Sequence, residues 1–382
     1  MATVSEVLGA TSEPLGTGIR TAVPERKFRP VVGFAVLGAA WSALMVWVWT
    51  YWIAEGKATP NRFGTDQVPH YMKVFANVVQ PILVVATIWT IWHFLIRPWR
   101  RESRLTFDGM IVIAMVLVSF QDPLSNYLRS AYFTYNTYWW NFGSWTSNVP
   151  GWISPRGHLL PEAVFSWTIP SYVFIIFGGS VIACDLMRRA KRRWPQIGTA
   201  GLIGMCFLGL ALFDAVMEPI FMLGGTWAFP GAIKGLTLYY GHYFQFPIYE
   251  SIFWGSVWTS FTCLRYFKND KGQTLVERGV DRLGGSQRRK ALVTVLAVIG
   301  FTQTAYFLVY NVPQALTTMH NQPVPADLAK RPYLLNGLCG EGTGYSCGGP
   351  ATPIPHQNSA HIGDDGRLVV PDAGRLHDEA PR

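Results

Sequence analysis

Seven stretches of the chain stay apolar for about the ~20 residues that a helix needs to cross a bilayer. They run over residues 31–53, 73–96, 107–127, 164–186, 198–223, 246–265 and 291–312, and the third and sixth are the shortest apolar runs. The pattern predicts an all-α, polytopic membrane protein with about seven transmembrane helices. Before it lies a polar segment, 1–30, without the pattern of a cleavable leader. After the membrane domain, 31–313, comes a tail, 314–382. Beyond Asn321 that tail is rich in Pro, Gly and Asp and has no helical period, so it reads as mostly irregular or disordered. Nothing repeats every 20–50 residues, which excludes a repeat array.

Polar exceptions inside the apolar runs carry the chemical information. The fifth run contains LGLALFDAVMEPIFMLGG, with Asp214 and Glu218 four residues apart and therefore on one helix face. Pro219 follows and removes a backbone hydrogen bond. Carboxyl groups in lipid are costly and are turned inward, paired or used. Like charges at i, i+4 repel, so at least one of the two is expected to be protonated at neutral pH unless a cation lies between them. In the third run Asp122, Asn126 and Arg129 fall on one helix face. Glu250 lies about one turn from the start of the sixth run, and Gln80 about two turns into the second. All reach a similar depth, in the outer half.

Three of these polar residues directly precede proline: Gln80-Pro81, Asp122-Pro123 and Glu218-Pro219. Prolines in spans free carbonyls that side chains or water must satisfy. Helices broken at one depth often line a polar cavity. Each acid also has a structural reading. Asp122 can pair with Arg129, Glu250 and Asp108 can sit at helix starts, and Asp185 can meet Arg188 and Arg189.

The composition agrees with a membrane protein. Of 382 residues 49% are hydrophobic and only 14% charged, where a soluble chain carries about 25%. The net charge of +9 sits beside the apolar runs, which argues against a nucleic-acid partner. With the N-terminus in the cytoplasm and the C-terminus outside, the inner pieces hold 21 of the 32 Lys and Arg residues, including RPWRRESR and RRAKRRW. That is the positive-inside arrangement, and a multi-pass chain in a bacterial plasma membrane is expected. In this orientation Cys339 and Cys347 lie outside, where a disulfide around CGEGTGYSC is expected. Cys-x7-Cys is not a usual zinc spacing. Residues 274–283, TLVERGVDRL, read either as a short amphipathic surface helix or as a solvated basic loop.

The outer loops are aromatic. Residues 132–152 hold nine aromatics among Asn, Pro and Gly, and fit either an interfacial belt or an ordered cover over a pocket. The second outer loop places Tyr240, His242 and Tyr249 near Glu250. No Walker motif or dinucleotide fingerprint occurs. The eight histidines form no ligand cluster, and no lysine falls within 291–312. No cofactor and no metal site is expected.

QDPLSNY, NFGSWTSNVPGW, LFDAVMEP and YYGHYFQFPIYE together resemble the membrane spirocyclases of avermectin and meilingmycin biosynthesis, the AveC-like proteins. The resemblance covers roughly residues 30–315. It implies closure of a dihydroxy-ketone to a spiroketal, with dehydratase activity in one member. By position it implies Asp122, Asp214, Glu218 and Glu250 as catalytic candidates. The substrate itself is not carried over. The residues suit that chemistry independently. Ketal closure needs an acid for the departing hydroxyl, a group that steadies the oxocarbenium ion, and a base. Gln80, Asn126, Arg129, Tyr240, His242 and Tyr249 complete the site as candidate contacts to a lipophilic small molecule. Two other classes remain open: a proton-coupled transporter or lipid-handling protein using the same acids, and a scaffold in which they are structural. A closed pocket favours the enzyme, and a path across the membrane favours transport.

Overall fold

A computed structural model describes residues 29–61, 67–347 and 353–371. Most of the expected N-terminal segment, 1–28, lies outside the described residues. Seven long helices follow in order: α1 Pro30–Ala54, α2 His70–Glu102, α3 Phe107–Asn126, α4 Val164–Arg193, α5 Thr199–Leu223, α6 Ile248–Tyr266 and α7 Gln287–His320. Among the described residues six of them, all but α6, are long and apolar enough to cross a membrane. The chain is therefore a multi-pass membrane protein.

The bundle is built around α3. Its first three turns are apolar on every side, and Met110, Ile111, Val112, Ala114, Met115 and Val118 are all buried. A helix of that kind belongs in a core. Asp108 at its start receives a bidentate pair of hydrogen bonds from Arg265, at 2.9 Å each, which ties the foot of α6 to the foot of α3. From Ser119 onward α3 tightens into a 3-10 helix through Pro123, with all eight residues buried. By contrast α1, α2 and α5 show most of their apolar surface, as helices facing lipid do. α1 and α7 pack backbone to backbone. A side chain on Gly38 would strike the Leu296 carbonyl, and one on Gly300 would strike the Phe34 carbonyl.

α4 begins as two π-helical stretches, Val164–Thr168 and Ser171–Ile176, on either side of Pro170. Such wide turns gather at functional sites. The outer connections are ordered. Thr134–Tyr135 pairs with Trp227–Ala228, and Phe142–Gly143 with Pro161–Glu162. Tyr132, Phe133, Tyr135, Trp139 and Trp145 are buried, so the first outer loop covers the bundle and is not an exposed aromatic belt.

The described chain beyond Asn321 is mostly loop, with one α-helical turn at Ala326–Ala329 and a pairing of His361–Ile362 with Leu368–Val369, yet it is not a loose end. Leu328, Leu334, Leu335 and Leu338 are buried with Met72, Ala228 and Tyr243 over the outer loops. Cys339 and Cys347 are joined there as a disulfide. Residues 274–283 form no surface helix. They make two single 3-10 turns, the first closed by a Thr274–Glu277 capping box, with Val276 buried.

Candidate active site

Asp214 and Glu218 are buried on α5, while Leu212, Val216 and Ile220 beside them point to lipid. Their face meets α3, α4, α6 and α7 in one cavity. It is lined by Asp122, Asp214, Glu218 and Glu250, with Trp254 and Tyr310 on the inner wall. The π-helical part of α4 supplies Trp167 and Ser171, and the outer loops supply Phe133, Tyr135, Trp227 and Phe229. Four acids that are distant in sequence thus share one aromatic-walled space.

The four carboxyls are held differently. Asp122 accepts hydrogen bonds from Tyr135 (2.6 Å) and Tyr172 (2.9 Å), and the Tyr172 hydroxyl also touches that of Tyr306. Glu250 accepts from Tyr310 (2.6 Å), from Gln314 (2.9 Å) and from Tyr132 in a short contact. Tyr306 and Tyr310 lie one turn apart with their rings in tilted contact, centroids 4.7 Å apart. On α5 the situation is reversed. Asp214 Oδ2 and Glu218 Oε2 are buried with no hydrogen-bond partner among the described residues. A buried polar oxygen left unpaired costs about 1–3 kcal/mol. Two such oxygens facing one cavity mark the place where a guest or water would supply the missing donors.

A fifth acid, absent from the sequence-based set, stands behind Asp122. Glu162 is buried, accepts a hydrogen bond from Thr168 (2.7 Å) and meets the Asp122 carboxyl with its own. Burial, and next the Asp122 charge, hold the Glu162 carboxyl well above the usual range. Burial, and next Asp122, likewise push the Tyr135 hydroxyl up, so it remains a donor.

The six expected substrate contacts do not line the cavity. Gln80 bonds to the Ala76 carbonyl and accepts from the Trp140 backbone, which pins the first outer loop. Asn126 accepts from Tyr132 N and donates to the Phe133 carbonyl, because the 3-10 turn rotates it away from the Asp122 face. Arg129 reaches Asn321 and not Asp122. Tyr240 lies under Lys234, and His242 is exposed beside Phe244. Tyr249 is half-buried against Phe253. Conversely Tyr172, Tyr306, Tyr310 and Gln314 were not anticipated. The i, i+4 spacing of Tyr306 and Tyr310 in an apolar run was the available signal. Among the described residues no group of three or more His, Cys, Asp or Glu side chains is arranged to hold a metal.

A helical membrane bundle with a buried, multi-carboxylate cavity defines the class. The model of the AveC-like spirocyclases matches residues 100–334, a stretch that begins just before α3 and contains every acid of the cavity. The chain belongs to this family. Comparison with curated proteins and with solved structures gives no match.

Proposed function

We propose that the protein is a cofactor-independent cyclase that closes a lipophilic dihydroxy-ketone to a cyclic ketal with loss of one water, or dehydrates such a molecule. The observation that carries this reading is the contrast among the acids. Asp214 and Glu218 offer unpartnered oxygens to the cavity, while Asp122 and Glu250 are fixed by tyrosines. Glu218, directly before Pro219 in a helix that continues unbroken to Leu223, carries a proton and gives it to the hemiketal hydroxyl. The C–O bond breaks and water departs. Asp214, ionised, steadies the positive charge on carbon together with the aromatic walls. The second hydroxyl attacks that carbon, and Asp122 or Glu250 takes its proton. Proton count and charge then balance, and one proton returns to Glu218 before the next turnover.

The space around the acids is small, about 50 Å³. It is roofed by loops, which favours chemistry over a transport path. Polyketide-like molecules with several hydroxyl groups are the substrate class that the family suggests. In this reading the N-terminus is cytoplasmic, α6 is a seventh crossing, and the chain beyond Asn321 lies outside. The membrane is a bacterial plasma membrane. Residues 31–313 are the catalytic domain, and 314–382 an external cover.

Membranes from cells expressing the wild type and Glu218→Gln are to be profiled for pairs of lipophilic metabolites differing by one water. Glu218→Gln and Asp214→Asn are each expected to slow interconversion by about 10²–10⁴, with unchanged expression. Full turnover by both carboxamide variants returns the acids to a purely structural role.

A further inference from the structure

A second, larger space lies directly inward of the acids. It is a groove of about 650 Å³ between α4 and α5, floored by α6, with an apolar lining that includes Gly179, Ile182, Gly209, Leu210, Phe213 and Trp258. Ile182 and Phe213 are exposed, so the groove opens sideways, toward lipid. Its relation to the acid cavity is set by helix spacing. The cavity is lined by Ile175 on α4, Met217 on α5 and Trp254 on α6. The groove is lined by Gly179, Phe213 and Trp258. On each of the three helices the groove residue lies four positions inward of the cavity residue, which is about one turn. One layer of side chains separates the two spaces.

On its groove side that layer carries the edge-on pair of Phe213 and Trp258, with ring centroids 5.6 Å apart, and on its cavity side Met217 and Trp254. The two rings are not held equally. Trp258 is buried, donates from its ring nitrogen to the Ile176 carbonyl (2.8 Å), and lies against the backbone of Gly179, where any side chain would strike it. Phe213 is half exposed and makes no comparable bond. On the outer side the cavity roof is the buried loop carrying Phe133 and Tyr135, paired to the strand of Trp227. At about 50 Å³ the cavity holds a few waters and no drug-sized molecule, for which sites run to roughly 300–1,000 Å³.

We propose that the groove and the acid cavity are two parts of one lateral channel, with Phe213 as its gate. A lipophilic, hydroxyl-bearing molecule dissolved in the bilayer occupies the groove and reaches Asp214 and Glu218 when Phe213 swings off Trp258. The identity of that molecule rests on the cyclase reading. The route does not, and it is tested without turnover.

The probe is dicyclohexylcarbodiimide, a lipid-soluble reagent to which a protonated carboxyl adds across one N=C bond, with no leaving group. The full chain in phospholipid vesicles is treated with it, or with a water-soluble carbodiimide, and the modified residue is identified by peptide mass. The lipid-soluble reagent is expected to mark Glu218 or Asp214, and the water-soluble one to spare both. Phe213→Ala should raise the labelling rate severalfold. Gly209→Phe should lower it severalfold, since a Cβ at Gly209 meets nothing within 4 Å and the ring enters the groove. It keeps the test decisive if Phe213→Ala does not fold. Equal rates in all three proteins, or equal labelling by the water-soluble reagent, overturn the channel. Failure to label any of the proteins overturns it too. In each case the Glu218→Gln turnover assay judges the cyclase reading separately.

Discussion

Glu162 gives Asp122 a carboxyl neighbour where a charged pair would repel, and the proton retained on Glu162 resolves the conflict. The folded chain keeps that proton at a pH where the unfolded chain has lost it. Folded protein therefore binds more protons between the ordinary glutamate value, about 4.3, and the raised one. The stabilisation is complete below the ordinary value and is lost as pH rises through the raised one. Thermal unfolding in detergent should show a midpoint that falls from about pH 5 upward. Glu162→Gln keeps the acceptor for Thr168 and a donor for Asp122, so it should flatten that slope with little loss at low pH. Glu162→Ala leaves both partners bare and should cost about 1–3 kcal/mol per unpaired group. Identical slopes for wild type and Glu162→Gln would show that the proton resides elsewhere. At this scale Asp214, Glu218, Asp122 and Glu250 were legible in the sequence, because an acid inside an apolar run is expensive and stands out. Glu162 was not legible, since it sits in a polar connection where acids are ordinary. Tyr172, Tyr306 and Tyr310 were hidden by the chain's many aromatics.

The elements explain most of the remaining differences. Periodicity identified the runs but assumed α geometry throughout, and α3 departs from it at Ser119. A 3-10 turn has three residues per turn, so Asn126 leaves the face that α spacing assigns it with Asp122, and Arg129 lies beyond the helix, which ends at Asn126. The π-helical stretches of α4 were equally invisible, because a hydropathy pattern does not register an i, i+5 bond. The close contact of α1 with α7 depends on Gly38 and Gly300, which sit in long apolar runs where a helix-only reading sees just weak helix formers. Packing gives them their reason. Gly300→Leu places a side chain against the Phe34 carbonyl, and the helices must separate. Overpacking of this kind costs about 1–3 kcal/mol or more. A lowered unfolding midpoint with normal membrane insertion is the expected result. Gly204→Leu, at a position where a Cβ meets nothing within 4 Å, is the control, and equal midpoints for the two variants would remove the close contact from the account.

At the scale of the whole molecule the open matter is how many times the chain crosses. α6 is the least apolar of the long helices, being lined by Ser, Thr and Trp, and for that reason it does not stand with the six apolar helices. Its neighbours nonetheless span the bundle. Arg265 at one end grips Asp108 at the start of α3, while Glu250 at the other shares the cavity with Asp122 near the end of α3. The 15 residues from Glu250 to Arg265 rise roughly 22 Å, about the depth between Asp108 and Asp122 on α3. Lower hydropathy is tolerated because α6 faces protein on its buried side, where Trp258, Thr259 and Thr262 lie. A seventh crossing puts the two chain ends on opposite sides. RPWRRESR and RRAKRRW precede α6 and share one side in either case, the cytoplasmic one by their charge, and a seventh crossing puts Cys339 and Cys347 on the opposite, oxidising side, where a disulfide persists. If α6 instead stopped short, everything after it would change sides, and that disulfide would face the reducing cytoplasm. Fusions of a cytoplasm-active and an exterior-active reporter, placed after Arg193 and after Asn321, decide between the two. The first position is expected to report cytoplasm and the second the exterior. The same sidedness at both positions would reduce the crossings to six and leave the external cover without a basis.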